Sequence, residues 1–161
     1  MKSDVHFQQT CEKAHQREHE FAEYVTNTFG LTVEVLSKGF RATREDIADY
    51  AHDVDLKVNG FLCQFKYRDV ALATLKAKKW RPIIDEQLKA HRTPVDFYIL
   101  RFSDATLVTP YQPFAWRNNT AWKVEAKHDE SDKSLKAYYT IDPSDCIELE
   151  TWIADIQKAR C

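Results

Sequence analysis

Residues 52–67 read HDVDLKVNGFLCQFKY, and this stretch decides the fold. Asn59-Gly60 separates two runs of alternating side chains, which is the strongest short-range signal for a two-residue β-hairpin. A hairpin with this turn pairs Val58 with Phe61, and every other cross-strand pair follows by counting outward from the turn. The predicted pairs include Asp55 with Gln64 and Asp53 with Lys66.

The hairpin has two chemically different faces, because directly opposed side chains share a face with Cβ atoms ~5 Å apart. We expect the apolar face to pack in the core and the polar face to form a cluster of acids, an amide and lysines. The alternative is that the polar side chains merely cover the exposed face of a half-buried hairpin. The polar face carries Asp53, Asp55, Lys57, Leu62, Gln64 and Lys66, and the apolar face carries Val54, Leu56, Val58, Phe61, Cys63 and Phe65.

An amphipathic helix precedes the hairpin over residues 4–29. Apolar residues recur at helical spacing through Phe21 and Val25, and Gly30 follows where a helix often ends in a left-handed residue. The apolar stripe has one gap, at Glu18. A carboxylate on the core face of a helix is costly unless it has a partner or a metal, so Glu18 is a candidate functional residue.

The remaining pattern predicts one α/β domain over residues 1–161. Its predicted αβββαβ core, a mixed central sheet flanked by helices, spans about 5–102. A C-terminal elaboration of a strand pair and a helix spans about 103–161. The predicted elements are strands at 31–36, 96–102, 106–108, 121–126 and 135–141, a helix at 81–91 with Pro82 at its start, and a final helix beginning at Asp142-Pro143 and running through Ile156.

Composition excludes several classes of protein. With three glycines, at 30, 39 and 60, the chain has neither a dinucleotide-binding turn nor a phosphate-binding loop. The four cysteines have no metal-ligand spacing, so we expect free thiols and a cytoplasmic protein. From the same sequence we expect neither a signal peptide nor a membrane-spanning segment.

Net charge is only −2, but basic residues concentrate in the centre of the chain. A basic centre with acidic flanks fits a local phosphate-binding surface, although charge alone favours a solvated helix face equally. The candidate phosphate contacts are Lys38, Arg41, Arg44, Arg68, Lys76, Lys78, Lys79 and Arg81.

Asp55-Leu56, Gln64-Phe65-Lys66 and, on the first helix, Arg17-Glu18 carry a family resemblance. Together with the order of elements, they resemble the PD-(D/E)XK nuclease superfamily, and most closely Holliday-junction resolvases and Mrr-type restriction endonucleases, the latter also using Gln-x-Lys. The resemblance implies a restriction-endonuclease-like core over about residues 5–102. It also implies an endonuclease that hydrolyses DNA phosphodiester bonds with Mg²⁺ or Mn²⁺, and DNA as the partner. Enzymes of this kind often dimerise, so a homodimer is a further expectation.

The resemblance also implies a role for each matched residue. Asp55, the side-chain oxygen of Gln64 and the backbone carbonyl of Phe65 would bind the metal, and Glu18 would complete the site. Lys66 would orient or deprotonate the attacking water. Gln64 departs from the commoner acid and leaves one negative charge fewer to hold the cation. Asp53 would either orient a metal ligand without binding the metal itself or hold Lys66 across the hairpin.

Two other functions are compatible with the sequence. A catalytically inactive nuclease fold would bind nucleic acid or a protein partner without cleavage. The string His15-Gln-Arg-Glu18-His19 also matches the H-x-x-E-H pattern of inverted zinc peptidases, in which the two histidines share a zinc and Glu18 acts as the base.

Overall fold

The computed structural model describes residues 4–37, 54–113, 121–128 and 133–159. Within these ranges the elements, in chain order, are α1 Asp4–Phe29, β1 Val33–Val35, β2 Leu56–Val58, β3 Phe61–Tyr67, α2 Leu72–Ala77, β4 Ile83–Glu86, α3 Gln87–Arg92, β5 Phe97–Arg101, β6 Thr106–Pro110, β7 Lys123–His128, β8 Leu135–Thr140, a 3₁₀ turn Pro143–Asp145, β9 Ile147–Glu148 and α4 Leu149–Ala159.

The fold is mixed α/β, with a mixed central sheet and flanking helices. The central sheet has the strand order β1-β2-β3-β5-β6-β9, in which β3 and β5 are parallel and the other neighbours are antiparallel. A smaller antiparallel sheet has the order β4-β8-β7. Among the described residues, no helix combines the length and apolar character needed to span a membrane.

Two apolar clusters hold these layers together. One cluster joins α1 and α4 to one face of the central sheet, with Phe21 on α1, Phe65 on β3 and Trp152 on α4 among its members. The other joins the opposite face to the smaller sheet, with Tyr98 on β5 and Trp122 near β7 among its members. The central sheet is therefore covered on both faces.

The hairpin has the predicted turn and register. Asn59 and Gly60 have φ values of 48° and 88°, the positive pair that a type I′ turn requires. Val58 pairs with Phe61, and Leu56 pairs with Cys63. Because side chains alternate along a strand, this register places Gln64 and Lys66 on one face of β3 and Phe65 on the other.

The prediction that only one face of the hairpin is in the core is wrong. Leu62 packs against the second apolar cluster, and Gln64 is only 7% exposed. Val54, predicted on the apolar face with Leu56, also packs against the second cluster. The regular ladder of the hairpin ends at Leu56, so the alternation of faces does not extend to Val54.

The first helix also has its predicted bounds. It ends at Phe29, and Gly30 adopts the left-handed conformation at φ 70°. The amide of Gly30 donates a hydrogen bond to the carbonyl of Thr26. Glu18 is buried, as its place in the apolar stripe predicts.

The predicted helix over 81–91 is wrong. Residues Ile83–Glu86 form strand β4, and a short helix begins only at Gln87. Two consecutive β-branched residues, Ile83 and Ile84, favour a strand, and β4 gains its hydrogen bonds by pairing with β8, more than fifty residues later. The residues around β4 therefore do not reveal its pairing with β8.

The start of the final helix is also corrected. Asp142 accepts a hydrogen bond from the amide of Ser144 and begins only a 3₁₀ turn. The chain then adds Ile147 and Glu148 to the edge of the central sheet before α4 begins at Leu149. Pairing with β6 interrupts the helical periodicity. The predicted C-terminal strand pair is present as β7 and β8.

Candidate active site

The segment around Asp55 connects the hairpin to the strand before it. The backbone carbonyl of Asp55 accepts hydrogen bonds from the amides of Leu36, at 2.8 Å, and Ser37, at 3.3 Å. Its carboxylate Oδ2 accepts a 2.9 Å hydrogen bond from the amide of Phe65. Asp55 therefore links the residues that follow β1 to strand β3. Its carboxylate lies against the backbone of the Gln64-Phe65-Lys66 segment.

Gln64 lies in the interior, beside β5. It is 7% exposed and pairs with Tyr98 in the parallel ladder between β3 and β5. A buried amide of this kind presents one oxygen acceptor and two N–H donors in a fixed orientation. Its position brings the predicted ligand oxygen to the same face of the sheet as Lys66.

Lys66 contacts a carboxylate that the sequence pattern did not single out. Its Nζ lies 3.6 Å from Oδ1 of Asp85, which is 7% exposed. Asp85 also accepts a 2.9 Å hydrogen bond from the Tyr98 hydroxyl and another of 2.9 Å from the amide of Glu86. The predicted alternative partner, Asp53, lies outside the described residues.

A register shift in β4 accounts for the burial of Asp85. The pairing of β4 with β8 is irregular between Ile83 and Asp85, and both Ile84 and Asp85 are buried although they are consecutive. Irregularities of this kind re-aim side chains and are frequent beside functional sites. The β-branched pair Ile83-Ile84 is the sequence signal that could have indicated a strand here, and with it a position for Asp85 in a sheet.

The charge of Asp85 affects the protonation of the groups around it. Burial raises the pKa of the Tyr98 hydroxyl, and the negative charge of Asp85 raises it further, so Tyr98 remains a hydrogen-bond donor. Burial lowers the pKa of Arg68, whereas the charge of Asp85 opposes that shift. Asp85 is thus a buried carboxylate in contact with Tyr98 and Lys66, and its charge also acts on Arg68.

Glu18 is part of a chain of hydrogen bonds on α1. Its Oε2 accepts a short hydrogen bond from the Ser37 hydroxyl, and Nδ1 of His15 lies 2.9 Å from that hydroxyl oxygen. Nε2 of His19 lies 3.0 Å from Nε2 of His15. Burial lowers the pKa of His15, and the neighbouring His19 lowers it further. Since the amide of Ser37 bonds to Asp55, Ser37 links Glu18 to the Asp55 segment.

The predicted metal ligands differ in how the structure arranges them. Asp55 is hydrogen-bonded to the amide of Phe65, the neighbour of Gln64. These three residues would offer only oxygen atoms to the metal, the ligand type that Mg²⁺ prefers. Glu18 reaches this segment through Ser37. Across residues 4–37, 54–113, 121–128 and 133–159, no three His, Cys, Asp or Glu side chains form a group able to hold a metal ion.

The predicted phosphate contacts fall into three groups. Lys38, Arg41 and Arg44 lie outside the described residues. Arg68 and Arg81 direct their guanidinium groups inward: Arg68 donates to the carbonyl of Ile83, and Arg81 donates to the carbonyls of Ala121 and Thr140. Arg68 therefore ties the smaller sheet to the end of β3, and Arg81 joins the strands of the smaller sheet to each other. The third group, Lys76, Lys78 and Lys79, is exposed.

An exposed tryptophan accompanies the three lysines. The side chain of Trp80 is 58% exposed, and Nζ of Lys78 lies 4.4 Å from the centre of one of its rings. Lys79, between them, has a positive φ of 55°, so the chain turns sharply here after α2. We call Lys76, Lys78, Lys79 and Trp80 the Trp80 platform. It leads directly into β4, which carries Asp85.

A groove of about 710 Å³ lies beside α1, on the face of β3 that carries Phe65 and Tyr67. The guanidinium of Arg17 stacks on Tyr67, 3.8 Å from its ring centre. The charged side chains that line the groove are Arg17, Lys76 and Arg101 together with Glu20, Asp104, Glu148 and Glu150. Because carboxylates outnumber cations, this groove is poorly suited to a phosphate backbone.

The described cysteines are free thiols, as predicted for Cys11, Cys63 and Cys146. Burial, together with the nearby carboxylates of Asp145 and Asp142, raises the pKa of Cys146 to about 12. Burial also raises the pKa of Cys63. These thiols remain protonated at neutral pH and do not act as nucleophiles.

Comparisons of this chain with protein-family models, with curated proteins and with solved structures find no match.

Proposed function

We propose that this chain is a Mg²⁺- or Mn²⁺-dependent endodeoxyribonuclease. The observation that carries the proposal is the hydrogen bond from the amide of Phe65 to the carboxylate of Asp55, which, with the alternation of side chains along β3, supports a site made of Asp55, Gln64 and Lys66. With α2, which was not predicted, in place of the helix expected over 81–91, the element order of α1, β1, β2, β3, α2 and β5, with β3 and β5 parallel, supports a restriction-endonuclease-like core. Strand β4 and helix α3 are additions to that core.

The metal ion would be bound by oxygen atoms of the protein. Asp55, the amide oxygen of Gln64 and the carbonyl of Phe65 would bind the ion, and Glu18 would complete the set. A bound divalent metal supplies an activated water and neutralises charge on the phosphate that is attacked. Gln64 in place of a carboxylate lowers the negative charge of the site, which favours weak metal binding.

Lys66 acts as a cation in this proposal, because its ammonium group lies against the carboxylate of Asp85. An ammonium so placed donates a hydrogen bond to a phosphate oxygen and offsets the negative charge that accumulates during hydrolysis. Asp85, held by Tyr98, sets the position of that ammonium group. Asp85 is thus a positioning residue, and it does not touch the DNA.

The Trp80 platform would bind the DNA strand beside the site. Lysines neutralise phosphates, and an exposed aromatic ring stacks on an unpaired base. Trp80 precedes Asp85 by five residues, which span at most ~17 Å of chain. Stacked nucleotides advance ~3.4 Å each, so a base on Trp80 lies within about five nucleotides of the phosphate at Lys66.

Cleavage assays test the proposal directly. Supercoiled plasmid and branched DNA are incubated with the purified chain and Mg²⁺, Mn²⁺ or EDTA, beside Asp55→Asn and Lys66→Met. We expect nicking that needs the metal and that is lost in both variants. Cleavage that persists in EDTA, or in Lys66→Met, would contradict the proposal.

One feature favours the alternative of a catalytically inactive nuclease fold: Gln64 stands where the resembling nucleases more often have an acid. The same preparations distinguish the two functions. Binding of DNA by the wild-type chain, with no cleavage under any metal and no Asp55-dependent binding of Mn²⁺, would establish the inactive alternative.

A further inference from the structure

Two histidines on α1 direct the same ring nitrogen toward each other. His15 and His19 are four residues apart and therefore lie on the same face of the helix. Their Nε2 atoms are 3.0 Å apart, and the two rings are nearly perpendicular, at 86°. The nuclease proposal uses neither side chain.

The neighbouring hydrogen bonds determine where the protons lie. The carboxylate of Glu18 only accepts, so the single hydroxyl proton of Ser37 goes to Glu18. The Ser37 oxygen must then accept from His15, which carries its proton on Nδ1. In the neutral ring with this tautomer, Nε2 of His15 presents a lone pair toward His19.

We propose that His15 and His19 form a binding site for a divalent transition metal, with both Nε2 atoms as ligands. With metal–nitrogen bonds of ~2.05 Å, a separation of 3.0 Å gives an angle of about 94° at the metal. That angle is close to the right angle of tetragonal and octahedral sites, whereas a tetrahedral site needs the nitrogens about 3.3 Å apart. Cu²⁺ and Ni²⁺ therefore fit this pair better than Zn²⁺, with water in the other positions.

The surroundings of His15 match those of metal-binding histidines in general. Such a histidine usually donates its other ring N–H to a fixed acceptor, which sets the ring orientation and increases its basicity as a ligand. Here the acceptor is Ser37, which is itself anchored on Glu18. Only one proton must move on binding, because His19 transfers its proton from Nε2 to Nδ1.

The site is tested with the untagged full-length chain, because a histidine tag would bind the same metals. Cu²⁺ is titrated into the protein and followed by calorimetry and electron paramagnetic resonance. We expect a site whose spectrum shows two equivalent imidazole nitrogens, and affinity in the order Cu²⁺ above Ni²⁺ and Zn²⁺. Ser37→Ala should weaken binding by about 10- to 100-fold, and His19→Ala by more.

His128→Ala is the matched control, because His128 is an exposed histidine on β7, outside the pair. Cu²⁺ affinity that is unchanged in His19→Ala would overturn the proposal, and so would an equal loss in His128→Ala. His19 is exposed, so its replacement leaves the core intact. The outcome is independent of DNA cleavage, which is measured with Mg²⁺.

Discussion

The ammonium nitrogen of Lys66 lies 3.6 Å from Oδ1 of Asp85, and this contact joins the central sheet to the smaller one. Lys66 is on β3 and Asp85 on β4. A buried carboxylate is stable only with partners, and Asp85 has Tyr98 and a backbone amide in addition to Lys66. The same contact therefore affects both stability and the proposed chemistry.

Asp85→Ala should destabilise the chain. The change leaves the Tyr98 hydroxyl buried without its acceptor and Lys66 without its counter-ion, which costs about 2–4 kcal/mol. Tyr98→Phe removes only one hydrogen bond of the carboxylate and should cost about 1 kcal/mol. Urea denaturation measures both, with the exposed Asp69→Ala as control. If Asp85→Ala unfolds at the same urea concentration as the control, the buried contact does not contribute to stability.

Lys66→Met should separate activity from folding. The change keeps the unbranched apolar part of the side chain and removes the ammonium, while Asp85 retains Tyr98 and the Glu86 amide. We expect DNA cleavage to fall by at least about 100-fold, the typical effect of removing a group that stabilises transition-state charge. Lys57→Met, on the same hairpin, is the control and should cleave like the wild type. Equal rates in the two variants would remove Lys66 from the mechanism.

Trp80→Ala should weaken the binding of unpaired DNA. Loss of one stacked base costs about 1–3 kcal/mol, or roughly 5- to 160-fold in affinity. Fluorescence anisotropy with a labelled oligothymidylate measures the change, and Trp80→Phe should retain most of the affinity. Leu88 is 61% exposed, so Leu88→Ala controls for the loss of an exposed apolar side chain. An equal effect of Trp80→Ala on a blunt duplex would contradict stacking on an unpaired base.

Asp104 should make stability depend on acid pH. The amides of Leu72 and Ala73, at the start of α2, donate hydrogen bonds of 2.6 and 3.2 Å to its carboxylate. The Leu72 bond is the largest cause that lowers the pKa of Asp104 below its ordinary value. The charged form therefore stabilises the folded state above the unfolded pKa of about 3.9, and this contribution is lost as the pH falls toward the folded pKa.

The measurement is the difference in urea stability between the wild type and Asp104→Ala across pH 2 to 7. That difference should be largest at neutral pH and shrink in acid. A difference that grows in acid would show that the carboxylate does not cap α2. Ser103→Ala, at a neighbouring exposed residue, should show no pH-dependent difference.

Local patterns predicted the parts of the fold that local physics determines. Helix α1 followed from its apolar periodicity, and the hairpin register followed from Asn59-Gly60, because only a few turns allow two consecutive positive φ values. The burial of Glu18 followed from the same periodicity. Its partner Ser37 was not predicted, because the residues that meet a helix face come from elsewhere in the chain.

The failures share one physical cause. The sequence 81–91 has helical features, yet Ile83–Glu86 is a strand because β8 supplies its hydrogen bonds. Glu148 belongs to a strand for the same reason, since it pairs with Leu107. Pairing between distant segments is stabilised only when the sheet forms. The residues of one short stretch of sequence therefore do not predict it.

The sequence alone was sufficient to predict the hairpin turn, its register from Leu56 to Cys63 and the shared face of Gln64 and Lys66, because a two-residue turn and alternating side chains leave one arrangement. Only the tertiary structure decided which groups surround those positions. It covered the polar face of β3, brought Asp85 to Lys66 and Ser37 to Glu18, and turned Arg68 and Arg81 inward. Each of these contacts joins residues that are distant in the chain, and a buried polar group takes whichever partner the packed layers bring within reach.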